Sequence, residues 1–367
     1  MVPKKLHTGH KENRSFIGKS TDMQLLIDLR RFRCRVILEA LIVMQTITSI
    51  LVPVRDYSAR SLPAVKKAAQ LAAALNAKLE LFHDLAIPIT IETLGRPQNT
   101  LRDLKANARR PAIEGLERLA APLRSGGLSV STAAAWDYPP AEAILRRAVA
   151  IQADLIVAPC RARHRLPGLL GYTDWELLRL SPVPVLLVKT ATPYRRPKML
   201  AAIDPTHAHA KSSALDRRIL DYGAQVGRAL RGSIGVVHAY LPRSLPPTAT
   251  FDTKRRKSLL ADGEREARKT FNDALKTTTI PALRRHLVLG DPADVIPATA
   301  SKTGSTIVVM GSVSRSALKR FFIGNTAESV LDKLRCDLLV VKPANFPLKG
   351  PRARRGPDFI STSPLPV

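Results

Sequence analysis

The chain repeats itself at a spacing near 150 residues, and this constrains its fold more than any other feature of the sequence. Pro140-Ala141-Glu142-Ala143-Ile144 returns as Pro292-Ala293-Asp294-Val295-Ile296, and Asp154-Leu155-Ile156-Val157-Ala158 as Thr306-Ile307-Val308-Val309-Met310, both 152 positions later. Leu186-Leu187-Val188-Lys189 returns as Leu339-Val340-Val341-Lys342 after 153 positions, and Leu51-Val52-Pro53-Val54 as Leu200-Ala201-Ala202-Ile203 after 149. Four blocks in one order at nearly one offset mean a duplicated domain, because solenoid units are far shorter. A chain of 367 residues has room for two domains of ordinary size.

Within each copy, short apolar runs alternate with helical patterns. Leu79-Glu80-Leu81-Phe82, Leu155-Ile156-Val157 and Val183-Pro184-Val185-Leu186-Leu187-Val188 read as strands buried on both faces. Leu62 to Leu75 carries apolar residues at Val65, Ala68, Ala69, Leu71, Ala72 and Leu75, close to the helical period, and Ala141 to Ala150 and Ala293 to Ala300 are similar. Strands alternating with helices predict a doubly wound, Rossmann-like parallel sheet in each copy. Thr173-Asp174-Trp175-Glu176 has the spacing of a capping box with Thr173 as N-cap, and Asn325-Thr326-Ala327-Glu328 repeats it with Asn325 as cap. The expected organisation is a first domain over 44–192, a Pro-rich linker over 193–197, a second domain over 198–346, and a disordered tail over 347–367. Residues 1–43 show no sustained period; they read as a basic disordered arm, or as sequence ahead of a true start at Met44.

The net charge is +28, and the ends do not account for it. Residues 1–43 carry +5 and residues 351–367 carry +2, which leaves +21 on the body. A body this basic favours phosphate-rich partners, so a polyanion- or nucleic-acid-associated protein is the alternative functional class. Aromatic residues make up only 5% of the chain, little material for stacking bases. Cys34, Cys160 and Cys336 lie far apart, without the paired spacing of a disulfide framework or a zinc site. They read as three reduced thiols of a cytoplasmic protein, and no apolar run reaches the length of a membrane span, so no membrane contact is expected. His207 and His209 flank Ala208 without a third ligand, which is weak support for a metal. No nucleophile elbow, HExxH or complete P-loop occurs. No catalytic set, and no metal, is therefore assigned.

The stretch Gly311-Ser312-Val313-Ser314-Arg315-Ser316-Ala317-Leu318-Lys319-Arg320-Phe321-Phe322-Ile323-Gly324-Asn325-Thr326 is similar to the signature loop of the universal stress protein family: Gly, two residues, Gly, nine residues, Gly, then Ser or Thr. The closing segments, Thr173 to Arg179 with Pro182 to Lys189, and Ala327 to Leu331 with Cys336 to Pro343, resemble the tandem, E-type branch in particular. The resemblance covers about residues 45–346. It implies two domains of the adenine nucleotide alpha hydrolase-like type packed as an internal pseudo-dimer, open to further homo-oligomerisation, in a non-enzymatic stress-response protein.

Nucleotide-binding members of that family hold ATP with this loop, so ATP in the second copy is the implied ligand. No other cofactor is implied, and slow ATP hydrolysis is a lesser reading. Glycines let backbone N–H groups approach phosphate, and the helix N-terminus that follows adds partial positive charge. The implied contact residues are Asp204 at the end of the first strand, Gly290 and Pro292 after the third, and Gly311, Ser314, Gly324, Asn325 and Thr326 in the loop. Ser314 stands where the family has its middle glycine, and Asn325 where it has Ser or Thr. In the first copy Pro159 and Ala162 replace the first two glycines, only Gly171 remains, and Arg55 replaces the strand-end acid, with Asp56 adjacent. Any nucleotide is therefore expected in the second copy. A purely structural role stands beside this reading: the glycines as turn residues of unusual φ, Asp204 and Asn325 as caps. Arg161, Arg163, Arg165, Arg315, Lys319 and Arg320 in these loops suit an anion or a solvated basic surface alike.

Overall fold

The computed structural model describes residues 46–85, 98–137, 139–160, 173–206, 213–241, 253–312, 325–344 and 346. The first half runs β1 (Ser49–Pro53), α1 (Pro63–Leu75), β2 (Lys78–Asp84), α2 (Gln98–Ser125), β3 (Val130–Ala135), α3 (Pro140–Ala150), β4 (Leu155–Pro159), α4 (Thr173–Leu180) and β5 (Val185–Val188). The second half repeats the order: β6 (Lys198–Ala202), α5 (Ser213–Ala229), β7 (Ser233–Tyr240), α6 (Thr253–Ala274), β8 (Arg285–Leu289), α7 (Pro292–Thr303), β9 (Ile307–Gly311), α8 (Asn325–Lys333) and β10 (Asp337–Val341).

The repeated Pro-Ala block has a local physical cause. Pro140 and Pro292 occupy the first turn of α3 and α7, where a preset φ helps and the missing N–H has no helical acceptor in any case. Asp291 caps α7 by accepting from Ala293 N–H at 2.7 Å, and Gly304 ends it in the left-handed region at φ 64°. The strands are apolar on both faces because helices cover both. Ile50 and Val52 of β1 join the core under α1, α2, α5 and α6, whereas Leu51 joins the core under α3, α4, α7 and α8. Glu80 of β2 is 5% exposed and receives two hydrogen bonds from the Arg147 guanidinium of α3, at 2.6 and 2.7 Å.

All ten strands form one sheet, in the order β3-β2-β1-β4-β5-β10-β9-β6-β7-β8. Each half is parallel and doubly wound with its first strand in the middle, and the two halves share one strand order. They meet where β5 pairs antiparallel with β10. Leu186 faces Leu339, its own repeat equivalent, so a pseudo-twofold axis passes through that pair.

On one side of this seam α1 packs against α5. Beneath them lies a buried polar cluster. The Asp337 carboxylate, at the start of β10, accepts from Lys67 Nζ at 2.5 Å, Tyr194 Oη at 2.6 Å, and the Lys189 and Thr190 N–H groups at 2.9 and 3.1 Å. Lys67 comes from α1 of the first half and Tyr194 from the segment joining the halves, so that join is packed into the interior.

Candidate functional site

In a doubly wound sheet the chain leaves neighbouring strands in opposite directions at one point, and a crevice opens beyond their C-terminal ends. In the second half that point lies between β6 and β9, where Ala202 is in register with Met310. Asp204 and Gly311 therefore stand at the mouth of the crevice. Gly290 and Pro292 follow the edge strand β8, two strands beyond β6, so they lie about 10 Å across the sheet from Asp204. Asn325 and Thr326 open α8, placing their backbone N–H groups in its first turn. Six of the eight candidate residues thus fall along the C-terminal edge of one sheet. Ser314 and Gly324 lie outside the described residues, as do His207, His209, Arg161, Arg163, Arg165, Arg315, Lys319 and Arg320.

The local contacts define each role further. Asp204 is half-buried; its N–H donates to Asp216 Oδ1 at 3.1 Å, and its Oδ1 accepts from Thr206 Oγ1 at 2.8 Å. Asp216 is buried in the first turn of α5 and fixes the backbone at the strand end. Gly290 has φ 143°, in the region that favours glycine, and its N–H donates to Tyr240 O at 3.0 Å.

Gly311 differs from its sequence reading as a turn residue of unusual φ. It is the last residue of β9, its φ is not positive, and a Cβ there would stand 2.7 Å from Leu215 Cδ2 and 3.1 Å from Ile219 Cδ1. Close packing of α5 onto the sheet, rather than backbone conformation, requires glycine at this position.

One residue that the sequence reading left out of the site is Lys342, at the end of β10. Its side chain is buried, Nζ donates to Ser312 Oγ at 3.0 Å, and Nζ lies 4.9 Å from the centre of the Phe346 ring. Burial pulls its pKa down to about 7, so the amine changes charge near neutrality. Ser312 directly follows Gly311, so Lys342 stands at the root of the glycine loop. Its recurrence as Lys189 in the first copy was the available signal. Lys189 is used differently there: Nζ donates to the carbonyls of Leu331 and Leu334 at the end of α8.

At the corresponding crevice of the first half, beyond β1 and β4, a cavity of about 20 Å³ is lined by Arg55, Pro159, Thr173 and Asp174 among others. Asp56, beside Arg55, is turned onto its own loop: its Oδ1 accepts from Ser58 N–H at 2.9 Å and from Ser58 Oγ, and these bonds hold its carboxyl below the usual range.

Comparison with known proteins agrees with this architecture. The model of the "Universal stress protein family" matches residues 46–189 and again 196–342. Universal stress protein E of Salmonella typhi is 33% identical over 232 residues, which is 60% of this chain and 70% of that protein. Universal stress protein E of Photorhabdus laumondii is 26% identical over 312 residues, 81% of this chain and 95% of its own. Among solved structures, a functionally unknown protein from Pseudomonas aeruginosa PAO1 superposes with a TM-score of 0.62 at 27% identity, covering 82% of this chain and 95% of its own. A universal stress protein from Archaeoglobus fulgidus superposes with a TM-score of 0.55 at 18% identity over 82% of this chain, a likeness of fold. Among the described residues, no helix is long and apolar enough to cross a membrane.

Proposed function

Since the chain belongs to the universal stress protein family, as a tandem protein of the E type, we propose that it serves the stress response as a non-enzymatic binding protein whose second half holds ATP in the β6–β9 crevice. The contrast between the two crevices carries this reading. One fold is built twice, yet the second copy keeps an acid, Asp204, after its first strand where the first copy has Arg55, and Gly311 at the end of its fourth strand where the first copy has Pro159; of the three signature glycines the first copy keeps only Gly171.

In this reading the phosphates lie against the loop from Gly311 past Ser314 to Gly324, with the N–H groups of Asn325 and Thr326 and the positive end of α8 beneath them. Asp204 accepts from the ribose hydroxyls, and the backbone at Gly290 and Pro292 borders the base. Lys342 is placed to gain a proton when the phosphates arrive, because a nearby anion offsets the burial that depresses its pKa.

Calorimetric titration of ATP tests the proposal on the parent and three variants. Asp204→Ala is expected to weaken binding by about tenfold, the loss of one or two hydrogen bonds from a charged acceptor. Ser314→Gly should tighten binding by clearing the approach to the phosphates. Pro159→Val should leave it unchanged. Loss of ATP in Pro159→Val with retention in Asp204→Ala would put the site in the wrong half. If none of the four proteins binds ATP, the glycine loop is structural only. Phosphate release measured on the same samples tests the non-enzymatic part, which steady turnover abolished by Asp204→Ala would refute.

A further inference from the structure

A second, unrelated opening lies at the opposite end of the second half. It has a volume of about 440 Å³ and is lined by Arg268, Phe271 and Asn272 of α6, Arg285 and His286 of β8, and Lys302 of α7, among others. The topology explains its form. β8 is the outermost strand of the sheet, α6 packs on one of its faces and α7 on the other. Successive side chains of a strand point to opposite faces. Leu287, and with it Arg285, faces the core under α6, whereas Val288, and with it His286, faces the core under α7. The cleft therefore wraps the edge of β8 and gathers cations from both faces of the sheet. Lys302 ends α7, and Arg268 and Arg285 lie at the N-terminal end of the strand, away from the nucleotide crevice at the C-terminal end.

Among the described residues, no carboxylate lines this cleft. Arg285 is held in place by its Nε, which donates to Ile280 O at 2.9 Å, while its terminal nitrogens remain for a ligand. Arg268 shares its guanidinium with Glu264 of the same helix, so the heavier part falls to Arg285 and Lys302. Burial, and the charge of Lys302, keep the His286 pKa below its usual value, which leaves a neutral imidazole at pH 7 able to donate one hydrogen bond. Phe271 and Leu287 supply an apolar floor.

We propose that this cleft is an anion site for a linear phosphate chain laid across the edge of β8, with Arg285 and Arg268 on one face of the strand and Lys302 on the other. A single phosphate reaches only one of these groups, because they project to opposite faces. A chain of phosphates reaches both. The binding logic is that of several charge-assisted hydrogen bonds from forked and point cations to phosphate oxygens. The site is independent of the nucleotide crevice, and either could exist without the other.

The test is calorimetric titration of the full chain with sodium tripolyphosphate and, in parallel, with inorganic phosphate. Tripolyphosphate should bind the parent, and inorganic phosphate should bind at least tenfold more weakly. Arg285→Gln combined with Lys302→Gln should weaken tripolyphosphate by about a hundredfold, about tenfold for each charge removed. Lys302→Gln alone, an exposed position whose replacement leaves the fold alone, should give about tenfold. Lys342→Met, which removes the amine at the root of the phosphate-facing loop of the nucleotide crevice, should leave tripolyphosphate binding unchanged, which separates this site from that crevice. The proposal is overturned if the parent fails to bind, if the double variant binds like the parent, or if binding follows Lys342 instead. Self-association of the double variant together with no binding by the parent would show that these charges guard an exposed sheet edge against pairing, and nothing more.

Discussion

The buried cluster around Asp337 makes a quantitative claim about how the two halves are held. Lys67 is 1% exposed and Asp337 is fully buried, and they belong to different copies of the repeat. Replacing Lys67 with Met keeps the length and apolar stem of the side chain but leaves the carboxylate buried opposite nothing charged. Breaking a buried ion pair from one side costs about 3–5 kcal/mol. Tyr194 Oη and the N–H groups of Lys189 and Thr190 still donate to the carboxylate, so the lower end of that range is expected. Asp337→Asn removes the charge yet keeps one oxygen for the two N–H groups, and leaves Lys67 Nζ with Thr190 Oγ1, 2.7 Å away, and the Tyr194 ring, whose centre is 4.7 Å away. In the double variant neither charge remains. The two single losses should then fail to add, with a coupling of about 1–3 kcal/mol. Urea unfolding followed by circular dichroism measures all four proteins, and the slope of each transition reports whether the halves still unfold together. A cost below about 1 kcal/mol for Lys67→Met, with additive singles, would refute the claim, since that is how exposed pairs behave.

Other outcomes follow from single contacts. Gly311→Ala should destabilise by about 1–3 kcal/mol in thermal or urea unfolding, because its Cβ would press on the fully buried Leu215. Arg147→Ala should cost about 1–3 kcal/mol, by leaving the buried Glu80 carboxylate without its bidentate partner. Lys342 has a folded pKa of about 7, below its ordinary value of 10.5, so the unfolded chain binds the extra proton and this group's contribution to stability rises with pH above 7. From pH 7 to 8.5, below the range where buried thiols oppose the trend, Lys342→Met should remove a slope approaching 1.4 kcal/mol per pH unit, read from urea midpoints at three pH values.

Much of the fold was legible because it rests on local pattern. The apolar runs named strands, the helical period named helices, and the constant offset of the repeated blocks named the duplication. The helix expected from Leu62 begins at Pro63, as its N-terminal proline requires. Thr173 and Asn325, read as caps, are themselves the first helical residues, and Asp174 accepts from Trp175 N–H at 3.1 Å. These are shifts of one residue, within the ordinary uncertainty of helix ends. What the sequence did not reveal depends on contacts between distant segments. Lys67 sits in Ala64-Val65-Lys66-Lys67-Ala68, where either lysine could face water; α5 and β10 of the other half decide that Lys67 is the buried one. Lys342 likewise looks like a strand-end cation, and only the fold lays Ser312 and Phe346 against its amine. The cleft at β8 needs two helices from opposite faces of the sheet, which no local window contains.

The same geometry explains how two copies of one domain can diverge at one end while staying alike elsewhere. The seam holds both copies to a common strand order, because β5 and β10 each complete the other's edge and the pairing centres on equivalent leucines. A change in either strand is felt by both halves. The exposed positions at the C-terminal ends of β1 and β4 carry less of that obligation, because they face the crevice. Arg55 is exposed and Pro159, although the last residue of β4, is exposed as well, so substitutions there cost the fold little. Arg55 and Pro159 could thus enter the first crevice without loosening the sheet, and the first half could remain as a packed partner that supplies Lys67 and Lys189 to the second. On this argument Lys67 and Asp337 serve structure where the proposed nucleotide residues serve binding. They should be more sensitive to substitution than Arg55 in unfolding experiments, and less sensitive than Asp204 in ATP titrations.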